Sequence, residues 1–260
     1  MTELAGLFDL TGKRALITGS GGGIGLALAR GLAQHGAAVI LNGRNVARLE
    51  AAADTLRADG LSISPEINTA AFDVTDEAAV KAGVAGILAS GPLDILINNA
   101  GIQRRGPLEN VTLETWNEVI ATNLTAAWLV SRAVAPGMIE RGKGKIVQTL
   151  SLMSELARRG TGPYTAAKGG LKMLVQAMCA DWAGYGLQIN GIGPGYFATE
   201  MTAPLLADEA FNRWVRERTP AGRWGEPDEL VGAAVFLCSA ASTFVNGQVI
   251  YVDGGMRAVL

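Results

Sequence analysis

Tyr164 and Lys168 stand four residues apart in Pro163-Tyr164-Thr165-Ala166-Ala167-Lys168. On a helix that spacing puts both side chains on one face. An ammonium beside a phenol favours the phenolate and draws its pKa down from about 10 toward the working pH, where general acid–base catalysis is efficient. On its own such a pair is more often a surface coincidence, so its meaning depends on its surroundings. The other titratable chemistry is sparse, with one histidine and two cysteines in 260 residues. A single histidine leaves no His-rich metal site, and a Ser-His-Asp hydrolase survives only if His35 is its base. Cys179 and Cys238 form no CxxC pair and read as small apolar residues in a reducing compartment, with no metal or redox role.

A second constellation is Thr18-Gly19-Ser20-Gly21-Gly22-Gly23-Ile24-Gly25, placed between an apolar β-branched run and a helical pattern. Successive glycines let a backbone turn tightly and approach a pyrophosphate, while the helix N-terminus offers free N–H groups and partial positive charge. No Lys-Ser or Lys-Thr pair closes the turn, which excludes a P-loop. The bland alternative is a tight connection without ligand. At the end of the next strand an acidic residue would hold the ribose hydroxyls of NAD, whereas a basic one can hold the 2'-phosphate of NADP. Here the chain reads Leu41-Asn42-Gly43-Arg44, which favours NADP(H) and leaves NAD(H) possible. Asp73-Val74 lies where an adenine edge could be bonded, although Asp73 could equally cap the next helix.

Short apolar runs alternating with longer helical patterns call for βαβ units on a parallel sheet buried on both faces. The runs predict seven strands, near Arg14 to Thr18, Ala37 to Asn42, Ile67 to Asp73, Ile95 to Asn98, Lys145 to Leu150, Gln188 to Gly193 and Gln248 to Val252. Helices are expected near Ile24 to His35, Val46 to Asp59, Glu77 to Ala89, Leu113 to Glu140, Pro163 to Tyr185 and Asp228 to Ser239. The expected fold is therefore α/β, a doubly wound Rossmann-type sheet of seven parallel strands in one domain over residues 1–260. Residues 194–226 interrupt the rhythm and read as a binding loop. His35 falls at a helix end, away from the strand C-termini where such folds place chemistry, so the hydrolase option lapses.

In order and together, the glycine turn, Asn98-Asn99-Ala100-Gly101, Asn123, Ser151, Tyr164-Thr165-Ala166-Ala167-Lys168 and Pro194-Gly195 resemble the short-chain dehydrogenase/reductase family over nearly the whole chain. The resemblance implies that Tyr164 exchanges a proton with a substrate hydroxyl or carbonyl and that Lys168 also holds the nicotinamide ribose. It implies that Ser151 bonds the reacting oxygen, and that Asn123 supports a water relaying protons from Lys168. Asn123 could otherwise be a helix-bend residue satisfying backbone groups. Thr199 is placed like the family's carboxamide-binding threonine, and is otherwise a helix cap. Asn99, Ala100 and Gly101 resemble the cofactor-side end of the fourth strand.

The loops Gly101-Ile102-Gln103-Arg104-Arg105, Met153-Ser154-Glu155-Leu156, Pro194 to Thr202 and Arg218 to Gly225 look like the branch that interconverts D-gluconate and 5-keto-D-gluconate. Arg104 could hold a carboxylate through its planar fork, or could belong to a solvated pair with Arg105. Met153, Glu155 and Tyr196 are the further substrate contacts expected, and Glu155 could instead pair with Arg158 or Arg159. Other sugar-acid or polyol dehydrogenases, a ketoacyl thioester reductase and a non-catalytic dinucleotide sensor stay open. Gly22 occupies a position that is basic in many NADP-preferring relatives, which leaves Arg44 with more of that argument. A net charge of -2 without a basic cluster argues against nucleic acid or anionic membrane as partner. Met1 to Leu10 lacks a leader pattern, so a cytoplasmic protein is expected. The resemblance implies a homotetramer built on the Leu113 to Glu140 and Pro163 to Tyr185 helices and the C-terminal segment.

Overall fold

The computed structural model describes residues 6–59 and 66–259, so half of the segment read for a leader lies outside the described residues. Strands β1 (Arg14–Ile17), β2 (Ala38–Gly43), β3 (Ile67–Ala71), β4 (Ile95–Asn98), β5 (Gly144–Thr149), β6 (Leu187–Pro194) and β7 (Val249–Val252) form one sheet in the order β3-β2-β1-β4-β5-β6-β7. Every neighbouring pair is parallel. The expected fold class and strand number hold, with strand ends displaced by a residue or two.

The sheet needs apolar residues on both faces because helices cover both. Successive side chains of a strand point to opposite sides. Accordingly Ala15, Ile17, Ile95 and Ile97 join the core under α1 (Gly23–Gln34), α2 (Val46–Ala58) and α9 (Val231–Cys238). Leu16, Leu96 and Ile146 join the opposite core, under α3 (Glu77–Ala89), α5 (Ala126–Glu140) and α6 (Gly162–Trp182). Uninterrupted apolar runs are what such a sandwich demands. No helix among the described residues is long and apolar enough to cross a membrane.

Three expectations need correction. The single helix from Leu113 to Glu140 is α4 (Leu113–Ile120), a π-helical turn at Ala121–Thr125, and then α5. The cause is Asn123, whose Nδ2 donates to the Val119 carbonyl at 2.9 Å, the acceptor that its backbone N–H would use in an α-helix. Residues 194–226 are not simply a loop, because they contain α7 (Ala203–Leu206) and α8 (Glu209–Arg218). Asp208 caps α8 by accepting from the Ala210 and Phe211 amides, both at 3.1 Å. The helix is short and polar between prolines and glycines, so its apolar positions Phe211, Trp214 and Val215 were its only periodic signal. The last expected helix, Asp228 to Ser239, opens instead as a 3-10 turn at Pro227–Leu230 before α9.

Candidate active site

After β1 the chain moves outward to β2 on one side, while β4 lies on the other. The crevice at the C-terminal ends of the strands therefore opens at this reversal of strand order. A cleft of about 870 Å³ fills it. Most of the expected site residues line it, from the glycine turn through Asn42, Gly43, Arg44 and Asp73 to Asn99, Ala100, Gly101, Asn123, Ser151, Tyr164, Lys168, Pro194, Gly195 and Thr199. Ser20, Val74, Met153, Glu155 and Tyr196 do not.

The residues present fit a dinucleotide. Gly19 has φ +63°, and a Cβ there would lie 2.8 Å from the Ala100 Cα, so only glycine lets the turn close against the end of β4. Asn99 stitches the same junction, its Nδ2 donating to the Thr18 and Gly19 carbonyls, both at 3.1 Å. Ser20 is fully buried beneath the turn. Its hydroxyl donates to the Ile17 carbonyl at 2.7 Å and accepts from the Asn42 amide at 3.0 Å, so it shapes the cradle and faces away from the cleft. Two buried acceptors in the cleft wall, Asn42 Oδ1 and Thr149 Oγ1, have no partner among the described residues. Such atoms suit a bound polar ligand.

At the adenosine end, Arg44 is well exposed with Nη1 3.5 Å from Asp73 Oδ2. Asp73 Oδ1 accepts from the Thr75 amide and hydroxyl at 2.9 and 2.7 Å, making a tight turn after β3. A second cation was missed in the sequence. Arg48, in the first turn of α2, reaches back over the glycine turn to the Gly21 carbonyl at 2.9 Å. Its signal was the cap Asn45, whose Oδ1 accepts from the Arg48 amide and so fixes where that helix starts.

At the reacting end, Lys168 is buried and its Nζ donates to the Thr149 carbonyl at 2.6 Å. Burial pushes its pKa down to about 8. Burial also pushes the Tyr164 phenol above its ordinary value, against the pull of the Ser151 hydrogen bond and the Arg105 cation. The expectation that Lys168 draws the phenol down is thus corrected: its ammonium lies 5.6 Å from the centre of the Tyr164 ring and is turned to a backbone carbonyl. Asn123 has both functional ends on backbone, Nδ2 donating to the Val119 and Ile102 carbonyls and Oδ1 accepting from the Ile102 amide at 3.3 Å. Its bend-forming role is the one the geometry displays, at the junction with the loop after β4. The Thr199 and Thr202 hydroxyls lie 3.0 Å apart and pin the turn that follows Pro194-Gly195.

The expected substrate contacts fare differently. Arg104 lines the cleft, but its fork is filled by Glu118 of α4, with contacts of 2.9 and 2.6 Å. A carboxylate would have to displace that partner. Glu155 pairs with Lys172 and Arg257, and with neither Arg158 nor Arg159, so its two oxygens tie α6 to the C-terminal segment. Met153 contributes its amide to the Ser151 hydroxyl at 3.1 Å. Tyr196 sits edge-on among Phe211, Trp214 and Trp224, with its hydroxyl buried and unpartnered among the described residues. Beside it are two arginines not assigned from sequence. Arg105 and Arg158 have no ion-pair partner among the described residues, and Arg158 lies 4.8 Å over the Phe211 ring. Burial and then the Arg158 charge pull the Arg105 pKa down, with Tyr164 and Tyr196 close enough to act on it. Neither arginine lines the cleft itself, and two like charges beside it without an acid suit an anionic ligand. The doublets Arg104-Arg105 after β4 and Arg158-Arg159 after Ser151 are the available signal.

His35 closes α1, its Nδ1 2.8 Å from the Gly31 carbonyl, and does not line the cleft. Both cysteines are free thiols.

A family model described as enoyl-(acyl carrier protein) reductase matches residues 19–257. The chain is 58% identical over 255 residues to the gluconate 5-dehydrogenase of Gluconobacter oxydans strain 621H, covering 98% of each chain. It is 50% identical to the 5-keto-D-gluconate 5-reductase of Escherichia coli K12, covering 96% of this chain and 97% of that one. The crystal structure of a gluconate 5-dehydrogenase from Burkholderia cenocepacia J2315 in complex with NADP and tartrate superposes with a TM-score of 0.95 at 50% identity, covering 99% of this chain and 100% of that one. The chain therefore belongs to the short-chain dehydrogenase/reductase family.

Proposed function

We propose that the protein transfers a hydride reversibly between NADP(H) and D-gluconate or 5-keto-D-gluconate. The observation that carries this reading is the Ser151, Tyr164 and Lys168 cluster in the cleft of a chain 58% identical to a gluconate 5-dehydrogenase, with Arg105 and Arg158 beside it and paired with no acid among the described residues. A sugar acid brings the missing carboxylate. A ketoacyl thioester does not, and would leave both charges unpaired. The activities named for the Gluconobacter and Escherichia relatives point the same way, and the tartrate of the Burkholderia structure is itself a hydroxy acid with carboxylates. Arg44 and Arg48, with Asn42 where NAD specificity would want a carboxylate, support NADP(H) over NAD(H).

When bound, the nicotinamide supplies or accepts the hydride. The chain supplies the rest. In the reducing direction the Tyr164 phenol donates its proton to the substrate carbonyl oxygen, and the Ser151 hydroxyl donates a hydrogen bond to that same oxygen, so charge developing there is met by two oriented donors. Lys168, pushed down to about 8 by burial and 5.6 Å from the Tyr164 ring centre, keeps a titratable cation on the reacting side of the cleft. Arg105, Arg158 and the Tyr196 hydroxyl hold the distal part of the acid, which fixes the reacting carbon against Ser151 and Tyr164. Residues 194–226, with α7 and α8, form the wall on that side.

Exposed apolar side chains on α4, α5 and α6, including Leu113, Trp128 and Met173, favour a homotetramer through these helices. Light scattering at micromolar concentration should return four copies per particle. Two free thiols suit a reducing cytoplasm. The function itself is tested by a panel of NADPH and NADH against 5-keto-D-gluconate and an acetoacetyl thioester. The expected result is fastest turnover with NADPH and the keto acid. Faster reduction of the thioester overturns the substrate class, and nucleotide binding without any turnover identifies a sensor.

A further inference from the structure

We propose that Glu200 tunes cofactor preference by competing with the 2'-phosphate of NADP(H) for Arg48. This rests on the reading that the cleft takes a phosphorylated dinucleotide. Arg48 Nη2 lies 2.6 Å from Glu200 Oε2, which joins α2 to the turn after Pro194-Gly195 directly across the mouth of the cleft. The guanidinium occupies the space over Gly22: a Cβ built there would be 2.5 Å from Nη2. Residue 22 therefore carries no cation of its own and leaves room for one delivered by α2. With Nε on the Gly21 carbonyl at 2.9 Å, the fork is held at the glycine turn on the same side as Arg44.

The pair is built for exchange. Both side chains are more than half exposed, at 54% for Arg48 and 76% for Glu200, so water screens their attraction and little is lost when they part. A phosphate monoester carries close to two negative charges at neutral pH and offers three acceptor oxygens to an arginine fork. It outcompetes a single screened carboxylate, whereas the 2'-hydroxyl of NAD(H) does not. Glu200 thus opposes NADP(H) twice, by occupying Arg48 and by placing like charge near the phosphate. It does neither to NAD(H).

The test is a double-mutant cycle read by nucleotide binding, using quenching of protein fluorescence by NADPH and by NADH. Glu200→Gln should tighten NADPH by about two- to fivefold, the range for one exposed pair, and leave NADH unchanged. Arg48→Ala should weaken NADPH by about 10- to 100-fold, the loss of charged hydrogen bonds, with a much smaller change for NADH. In the double variant the effect of Glu200→Gln should vanish. Glu200→Gln leaves the glycine turn untouched, so its result stands even if Arg48→Ala loosens Gly21. Equal effects of Glu200→Gln on both nucleotides, or an undiminished effect without Arg48, overturn the proposal. If the unaltered protein binds NADH as tightly as NADPH, the underlying NADP(H) reading fails instead.

Discussion

Lys168 and Lys145 sit at opposite ends of strand β5, and burial pushes both ammonium groups down to about 8. Lys168 donates to the carbonyl of Thr149, the last residue of the strand, inside the cleft. Lys145, near its start, donates to the Ser242 hydroxyl at 3.1 Å beside Cys238, whose thiol is pushed up to about 12. The two share a perturbation and differ in direction along the sheet. A shifted pKa records burial. Chemistry follows from which end of the strands the group faces, because the connections that bind ligands gather at the C-terminal ends.

The sharpest way to break this comparison is to remove each amine. Lys168→Met should lower turnover by about 10²–10⁴-fold, the range for lost acid–base assistance, while Lys145→Met stays within about twofold. Equal losses in steady-state assays would show that burial alone had been mistaken for function. A similar contrast divides the arginines. Arg105→Ala and Arg158→Ala should each raise KM for 5-keto-D-gluconate by about 10- to 100-fold, as expected for a lost charged contact. Arg104→Ala removes a screened pair with Glu118 and should raise it by no more than about fivefold. The reverse ranking would return the carboxylate to Arg104.

The smallest effect is on stability against pH. An amine with a folded pKa of about 8 and an unfolded one of 10.5 binds fewer protons when folded throughout that interval. Its burial penalty is complete below about 8 and is relieved as pH rises to 10.5. Urea unfolding of the unaltered protein and Lys145→Met should therefore show the difference shifting in favour of lysine from pH 8 upward. Comparing the two cancels the parallel slope of Lys168, whereas Cys238 responds to the loss of the Lys145 charge. A constant difference would contradict the assignment for Lys145.

The sequence was most informative where geometry is local. The glycine turn, the spacing of Tyr164 and Lys168, and the apolar runs of a sheet covered on both faces all depend on residues near one another in the chain. What it hid was set by distant partners. Nothing near Arg104 announces that Glu118 will fill its fork, and Glu155 meets Arg257 only because the C-terminal segment folds back. Arg48 and Glu200 lie 152 residues apart. The glycine turn's sequence does not show its underside, where the Asn42 amide donates to the Ser20 hydroxyl. The lowered phenol failed for the same reason: helical spacing brings Lys168 beside Tyr164, but the Thr149 carbonyl decides where its ammonium points.

The central claim, that Tyr164 passes the proton while the chain orients a sugar acid against a nicotinamide, is tested most directly by Tyr164→Phe. NADPH binding and 5-keto-D-gluconate reduction would be measured on the same sample. The account predicts unchanged affinity for NADPH with turnover reduced by about 10²-fold or more. Turnover near that of the unaltered protein would contradict it.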